Sequence, residues 1–506
     1  MGESMNEIQN VFEEIEKIVG TKYVSDSDPI CYSYSMNCDF TLQGIPDIVV
    51  KPRTPEEISE ILKVANKHGT QIIPRGNGAD LTGGAKPIGD GGIVMDVTRM
   101  NKILDIDEES RIVTVEVGIS WSELCEQLSN VGIGYYTGST GPASGFSATI
   151  GGGLSNNSVG GGGAAMYGAV TEQCVGLEVV LPTGEIIDTG AKANSFRNKA
   201  FTRFGLGADY SGLFLGDVGI HGVKTKASLN IYPLPEYRGY ATYVVKKTKE
   251  KAAVERVTEL MKKWQHQRLP LHDFYYYPPN TVISLKGQKI AKGLINARVR
   301  GGILYYTTVA DTQRQLDYNI ERIEKLAEEA NFEKLGPTVE EGNIGKWFYE
   351  EDGKWQWSNN SWLGGNIFTM SCCLKSPTDL LPQYHKLFDE WQNRNSSKMA
   401  EIGLGGSAAY IAFGVYPSYI DVAGGTGVIS TIEHREEQEE LWKDLIITQI
   451  KTLGSVHYWM GEIIGRSLVD SGALTEEYYN FMISIKKALD PNKILSPGKF
   501  YLTDNY

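Results

Sequence analysis

Short apolar runs and helical patterns alternate along the first half of the chain, beginning near residue 47. The run DIVVKP is followed by TPEEISEILKVANKHG, in which the apolar residues between Ile58 and Ala65 recur on one helix face. Thr54 followed by Glu57 is a capping-box pattern that starts this helix. VVKP and QIIPRG are therefore predicted to be strands on either side of the helix.

The alternation continues to about residue 234 and then changes character. RIVTVEVG predicts a strand, SWSELCEQLSNVG a helix that begins at Ser120, and QCVGLEVVLPTGEIIDTG a hairpin turned by Pro182 to Gly184. Residues 237 to 455 repeat strand and helix units more loosely, which predicts one antiparallel sheet covered by helices. ALDPNKILSPGKF near the end predicts a turn leading into a short strand. The predicted fold class is α+β.

Length and charge narrow the classes of function. A chain of 506 residues predicts two or three domains, and a formal net charge of -13 argues against a nucleic-acid surface. No apolar run approaches the roughly 20 residues that span a bilayer, and the N-terminus reads as an acidic amphipathic helix rather than a signal peptide. A cytoplasmic location is expected. The six cysteines lack CxxC spacing, so no metal site is predicted.

Glycine is concentrated in two loops, PRGNGADLTGG (74–84) and GSTGPASGFSATIGGGLSNNSVGGGGAAMYG (138–168). Consecutive glycines let backbone N–H groups converge into a nest that receives a diphosphate, and Arg75 could add one charged contact. Neither loop matches a G-x-G-x-x-G fingerprint in context, and neither contains the lysine of a P-loop. Together the two loops predict one phosphorylated ligand rather than two surface turns.

Several stretches resemble the FAD-linked oxidase family: PDIVVKPRTPEEISEILKVANKHG, ATIGGG, GLFLGDVGIHGVKTKASL and the terminal ALDPNKILSPGK. That family includes D-lactate and glycolate dehydrogenases and flavoproteins of the vanillyl-alcohol oxidase and p-cresol methylhydroxylase (PCMH) type. The resemblance implies a PCMH-type FAD-binding domain of two subdomains at residues 1–234, with its core at 47–234. It also implies an antiparallel-sheet cap domain for the substrate at 235–455 and a C-terminal return to the FAD domain at 456–506.

The resemblance also implies which residues meet the cofactor. The predicted FAD contacts are Arg75, Gly76, Asn77, Gly78 and Ala79 in the first loop, Thr149, Ile150, Gly151, Gly152 and Gly153 in the second, and Gly222, Val223 and Thr225 beyond. Lys499 is predicted to lie near the flavin, where a cation would favour the reduced anion; a solvated lysine is the alternative. The FAD is expected to be non-covalent, because the first loop has no His or Cys, with tyrosyl linkage at Tyr410 as the exception.

The hydroxy-acid branch of this family usually carries GHxGDGNxH and GEHG motifs, which bind a metal and the substrate. Here the corresponding stretches read GLGGSAAYIAFGVY and GSVHYWMG, so a metal is not expected. His457 is the predicted catalytic base, because the histidine side chain titrates near neutral pH. Tyr458 and Tyr410 are the next candidates for a catalytic role. The other aromatic residues are more readily explained as core. A histidine such as His385, in a predicted helix, is expected at the surface.

The expected function is oxidation of an alcohol or 2-hydroxy acid by hydride transfer to flavin N5, with electrons passed to a protein or quinone. One alternative is a phenol or aromatic-alcohol oxidase that uses oxygen. Another is a flavin-binding, non-redox or structural subunit of a larger complex, which Val218 in place of the family's Glu keeps open. A small-molecule substrate is the expected partner, and a homodimer is compatible with the sequence.

Overall fold

The computed structural model describes residues 2–37, 44–138, 146–159, 162–246, 251–279, 281, 301–347, 350, 368–404, 409–415, 419–428, 432–457 and 460–502. The predicted catalytic residue Tyr458 lies outside these ranges. Within them, no helix combines the length and the apolar character needed to cross a membrane.

The N-terminal unit is a small sheet with parallel and antiparallel pairs. Its elements are α1 (Gly2–Val19), β1 (Val24–Ser25), α2 (Asp28–Tyr34), β2 (Ile48–Val50), α3 (Pro55–His68), β3 (Ile72–Arg75) and β4 (Ile93–Asp96). The strand order is β1-β2-β4-β3. Thr54 Oγ1 accepts a hydrogen bond from Glu57 N and caps α3, which ends at Gly69 with a positive φ of 66°. The predicted strands on either side of this helix are therefore confirmed.

A second, antiparallel sheet follows in the chain. Its elements are β5 (Ile103–Asp107), β6 (Ile112–Glu116), α4 (Trp121–Ser129), β7 (Tyr135–Thr137), α5 (Ile150–Ser155), α6 (Ala164–Tyr167), β8 (Cys174–Val180), β9 (Ile186–Asp188) and β10 (Val223–Pro233). The order is β5-β6-β10-β8-β9, and β7 also pairs with β10. Ser120 and Glu123 form the full capping box of α4. The β8–β9 hairpin has the predicted turn.

The third sheet is the largest and is wholly antiparallel. Its elements are β11 (Tyr237–Val244), α7 (Ala253–His266), β12 (Leu271–Tyr277), β13 (Ile303–Ala310), α8 (Gln313–Glu329), β14 (Glu333–Lys334), α9 (Ile344–Lys346), β15 (Phe368–Pro377), α10 (Leu381–Glu401), β16 (Ala409–Val415), β17 (Tyr419–Val428), α11 (Arg435–Leu453) and β18 (Val456–His457). The order is β14-β11-β13-β12-β16-β17-β15-β18. One antiparallel sheet covered by helices was predicted, and this is confirmed.

The two faces of the third sheet have different neighbours. Its outer face packs against α7, α8, α10 and α11 in one hydrophobic cluster that includes Tyr276, Tyr410 and Leu374. Its inner face contributes Tyr275 and Phe413 to another cluster. Residues in and near the second glycine loop complete this cluster: Tyr136, Val159, Ala164 and Ala169. The inner face is therefore the one that meets the first two sheets.

The C-terminal segment runs back to the N-terminal sheet through α12 (Ile463–Asp470) and α13 (Glu476–Leu489). Ile72 of β3 pairs with Leu495 in a parallel bridge. The buried ammonium of Lys486 donates to the carbonyls of Ile220 and Leu495 and to the Asp490 carboxylate. These bonds fasten the end of the chain against the turn that precedes β10.

Candidate active site

The two glycine loops are in direct contact. The side-chain amide of Asn77 donates to the Ser147 carbonyl at 2.8 Å. A Cβ added to Gly76 would lie 2.3 Å from Thr149 Oγ1, so only glycine permits this approach. Asp80 closes the first loop on itself by accepting hydrogen bonds from the backbone N–H and the hydroxyl of Thr82. The contact brings residues 76–80 beside the start of α5.

Four consecutive backbone amides in the first loop are free to bind a ligand. The N–H groups of residues 76–79 donate to no acceptor in the part of the chain that the structure describes. Gly78 is buried and has a φ of 68°, which residues with a Cβ rarely adopt. Successive unpaired N–H groups in such a turn form an anion-binding concavity. This loop therefore has the donors that a diphosphate requires.

The Arg75 side chain supports this loop from behind. Its guanidinium donates to the carbonyls of Met36 at 2.8 Å and Ala85 at 2.9 Å. A Cβ on Gly78 would lie 2.2 Å from the same guanidinium. The protein's own carbonyls thus orient this side chain, and its charged contact with the diphosphate stays a prediction. Its buried positive charge still lies directly beneath the free amides.

The second loop behaves differently from the first. Thr149 caps α5, and the N–H groups of its first residues already have protein acceptors: Ile119 O, Val117 O, Thr149 Oγ1 and Thr149 O for residues 150, 151, 152 and 153 in turn. A Cβ on Gly151 would lie 3.0 Å from Val117, and one on Gly153 would lie 2.5 Å from Trp121 Nε1. Two of the three glycines in ATIGGG are thus required by packing against Val117, which follows β6, and against α4.

This packing gives a direct prediction. Gly153→Ala should lower the free energy of unfolding by about 1–3 kcal/mol, the usual cost of overpacking a core. Gly152→Ala is the matched control, because its Cβ would meet only Thr149 Oγ1, at 3.2 Å. Urea unfolding of both apoproteins measures the difference. Equal free energies of unfolding for the two variants would show that a Cβ at residue 153 does not crowd Trp121.

The third predicted group of FAD contacts starts β10. Gly222 lies against Val179, whose Cγ1 would be 2.5 Å from an added Cβ. Val223 is buried in the core, and Thr225 Oγ1 donates to the Glu178 carboxylate at 2.8 Å. The side chains of Val223 and Thr225 are thus used within the sheet, and Gly222 has none, so any contact with a nucleotide from here is made by the backbone. Their FAD contacts stay predictions.

Lys499 is fully buried, so the alternative of a solvated lysine is wrong. Its ammonium donates to the carbonyl of Gly83 at 2.6 Å and lies 3.4 Å from the Glu462 carboxylate. Glu462 N in turn donates to Thr82 O. The lysine therefore joins the C-terminal return to the end of the first glycine loop.

Comparison with known proteins identifies the cofactor. Residues 46–190, which include both glycine loops, match the model of the FAD binding domain family. This part of the chain is similar to FAD-binding domains. FAD is therefore the cofactor, and the free amides of residues 76–79 fit its diphosphate. The predicted resemblance to FAD-linked oxidases is confirmed.

Curated relatives agree with this assignment. The chain is 35% identical over 228 residues to glycolate oxidase subunit GlcD of Bacillus subtilis, which covers 45% of this chain and 46% of the relative. It is 27% identical over 459 residues to the mitochondrial D-lactate dehydrogenase [cytochrome] of Arabidopsis thaliana, which covers 90% and 73%. The match to GlcD thus spans about half of that relative's length.

Solved structures extend the likeness to the whole fold. A 4-ethylphenol oxidase from Gulosibacter chungangensis superposes with a TM-score of 0.83 at 18% identity, covering 99% of this chain and 98% of the other. p-Cresol methylhydroxylase superposes with a TM-score of 0.80 at 17% identity, with the same coverage. The predicted PCMH-type fold with a sheet cap is confirmed.

Tyr410 does not face the FAD domain. Its ring packs against Tyr384 and Phe388 of α10, and its hydroxyl bonds His385 Nδ1 at 2.7 Å. The residue is on the outer, helix-covered face of the cap sheet, so its predicted roles in catalysis and flavin linkage are not retained. His385 is correspondingly half-buried rather than a free surface residue.

His457 is buried, and neither ring nitrogen has a hydrogen-bond partner among the described residues. It lies directly opposite Leu374 of β15, and directly opposed residues share a face of the sheet. Leu374 belongs to the outer cluster. Burial lowers the pKa of His457 to about 4, so the ring is neutral at neutral pH. Its role as a base stays a prediction.

That pKa predicts how stability depends on pH. Because the folded-state pKa is below the ordinary 6.5, the unfolded chain binds the proton first, and stability falls as pH drops from 6.5 toward 4. His457→Phe should remove about 2 kcal/mol of the loss between pH 7.5 and 5. His434→Gln, at a half-exposed residue beside Glu437, is the control. Urea midpoints that fall equally in both variants would contradict the burial of His457.

Two acidic residues that face the FAD domain were missed by the sequence analysis, and Tyr275, which also faces it, was interpreted as a core residue. Asp273 Oδ2 of β12 accepts the Gly163 N–H of the second glycine loop at 2.7 Å, so the cap holds that loop directly. Asp421 of β17 is buried beside Lys375 of β15. The Tyr275 hydroxyl is buried without a partner among the described residues. Sequence periodicity could place these residues in strands, but the face of the sheet on which each one lies depended on the strand register.

No cluster of three or more metal-ligand side chains occurs in the described ranges.

Proposed function

We propose that the protein is an FAD-dependent oxidoreductase that oxidises a CH–OH group to a carbonyl. The observation that carries the proposal is the row of free amides at residues 76–79, inside an FAD-binding domain that packs against the inner face of the cap sheet. When bound, FAD supplies the hydride acceptor. The cap residues then need only position the alcohol and take its hydroxyl proton.

An aromatic alcohol is the favoured substrate within this class. Tyr275, Tyr277 and Tyr305 stack on the inner face, with ring centroids 5.1 to 6.3 Å apart, and Phe413 lies beside them. Such a surface favours a flat apolar ring. A 2-hydroxy acid is the second candidate, supported by the names of the curated relatives.

Anaerobic titration of the purified protein tests the proposal. Vanillyl alcohol, 4-cresol, D-lactate and glycolate would be added separately while the visible absorption of the flavin is followed. Bleaching by one donor, with the matching carbonyl product, supports the reaction and identifies the branch. A bound flavin that dithionite reduces but no alcohol reduces would favour a non-redox or structural role.

Four further properties are proposed, each with its test. The cofactor is taken to be dissociable, since residues 74–84 contain no His or Cys for attachment, and acid precipitation should release it into the supernatant. Electrons are proposed to pass to a protein or quinone, and slow recovery of colour in air would support that over an oxidase. Cell fractionation and light scattering would test a cytoplasmic location and a homodimer.

A further inference from the structure

One row of side chains crosses the inner face of the cap sheet. Tyr305, Tyr275, Phe413, Asp421 and Lys375 are directly opposed on the successive strands β13, β12, β16, β17 and β15. Neighbouring strands are about 4.8 Å apart, so the carboxylate is two strands, roughly 10 Å, from the tyrosine. The row places one acid and one cation at the edge of an aromatic surface that faces the FAD domain.

Asp421 is fully buried but poorly satisfied. Lys375 Nζ lies 3.3 Å from its Oδ1 and 3.4 Å from its Oδ2, and Oδ1 has no hydrogen-bond partner in the described structure. A buried carboxylate normally takes several strong hydrogen bonds to offset its desolvation. The ionised Asp421 carboxylate has an oxygen, Oδ1, without a hydrogen-bond partner in the described structure, and its ionic contact with Lys375 is long. It can therefore accept a proton.

The charges around Asp421 point the same way. Burial raises its pKa to about 6, Lys375 acts against the rise, and Glu172 of the FAD domain adds to it. Tyr419 and Tyr275 also face this cluster. Burial raises the pKa of both phenols, so both stay protonated and neutral near neutral pH. A base whose pKa lies near the operating pH is the efficient one. When ionised, Asp421, Glu172 and Lys375 together carry one net negative charge, which disfavours the binding of a carboxylate substrate.

We propose that Asp421 accepts the hydroxyl proton of an uncharged alcohol during its oxidation, and that Lys375 is a positioning residue. The inference rests on the proposed function. The substrate C–H bond breaks and its hydride passes to oxidised FAD; the O–H bond breaks and its proton passes to Asp421 Oδ1, directly or through one water; a C=O bond forms. Lys375 keeps the carboxylate ionised and holds it on the inner face.

The kinetic test is anaerobic flavin reduction against pH for the holoenzyme. The wild-type rate is expected to rise near pH 6, and Asp421→Asn should lower the reduction rate at least 100-fold and abolish that rise. Lys375→Met should keep reduction but move that rise to higher pH, because the cation no longer opposes the burial. Glu172→Gln is the matched control and should move it slightly lower. An Asp421→Asn rate within about threefold of wild type, with the same pH profile, overturns the proposal.

His457 is the competing proton acceptor. If His457→Phe removes the rise near pH 6 and Asp421→Asn does not, the histidine is the base and the proposal is wrong. If no alcohol reduces the wild-type flavin, the proposed function itself fails, and that result is distinguishable from a wild type that is active without needing Asp421. Asp421→Glu should recover part of the rate only if the carboxylate acts chemically.

A second readout is independent of activity. The folded-state pKa of Asp421 lies above its ordinary 3.8, so the wild type loses stability as pH rises from 4 to 6. Relative to wild type, apo Asp421→Asn should therefore gain stability across that window and level off above it. A stability difference that does not change with pH would contradict a buried, poorly compensated carboxylate at this position.

Discussion

Lys499→Met is expected to destabilise the protein by about 3–5 kcal/mol, because it leaves the largely buried carboxylate of Glu462 without its cation. The ammonium is fully buried and also donates to Gly83 O, so its loss releases the first glycine loop from the C-terminal return. Urea unfolding of the apoprotein measures the effect. Weaker FAD binding should accompany it.

Two variants separate this ion pair from a general effect of removing a lysine. Lys487→Met, at an exposed residue of α13, should change stability by less than about 0.5 kcal/mol. Lys499→Met combined with Glu462→Gln should recover most of the loss, because no unpaired charge then remains. If the double variant is as unstable as the single one, the partner of Lys499 is not Glu462.

Gly76→Ala is expected to weaken FAD binding by about 10- to 100-fold. The added Cβ would lie 2.3 Å from Thr149 Oγ1, so the two glycine loops must separate and the free amides move. Overpacking of this kind costs about 1–3 kcal/mol, and each 1.4 kcal/mol is a factor of ten in affinity. Fluorescence titration of the apoprotein with FAD measures the change.

Gly89 supplies the matched control for this loop. An added Cβ there meets nothing within 4 Å, so Gly89→Ala should bind FAD like the wild type. Thr149→Ala in the Gly76→Ala background removes the clashing hydroxyl and should restore part of the affinity. Wild-type affinity in Gly76→Ala alone would show that the contact between the loops does not shape the cofactor site.

The secondary structure was largely predictable because its signals are local. Thr54 and Glu57 cap α3, Ser120 and Glu123 cap α4, and both pairs are visible as sequence patterns. The antiparallel cap sheet also followed from repeated strand and helix units. Local patterns of this kind do not depend on which residues meet across the fold.

The candidate site was predicted only in part, because side chains alternate between the faces of a strand. Tyr275 and Tyr276 are adjacent in an aromatic run, yet they lie in the inner and outer clusters respectively. A shift of one residue exchanges the faces, and no sequence pattern fixed that register. Tyr410 was therefore predicted to be catalytic although it lies in the outer cluster, and Asp421 and Lys375 were not noticed.

The glycines divided in the same way. Those in the first loop leave amides free, whereas Gly151 and Gly153 allow α5 to pack against Val117 and Trp121. Both uses give the same letters in the sequence. Only the partner atoms distinguish a glycine that admits a ligand from one that admits a neighbouring side chain.

Hydrogen exchange of the first glycine loop with and without FAD tests the central claim most directly. Apoprotein and reconstituted protein would be compared by mass spectrometry of peptides covering residues 74–84. The account predicts that FAD slows exchange of the amides at residues 76–79, because its diphosphate accepts their hydrogen bonds. FAD that binds tightly while exchange in this loop stays unchanged would contradict it.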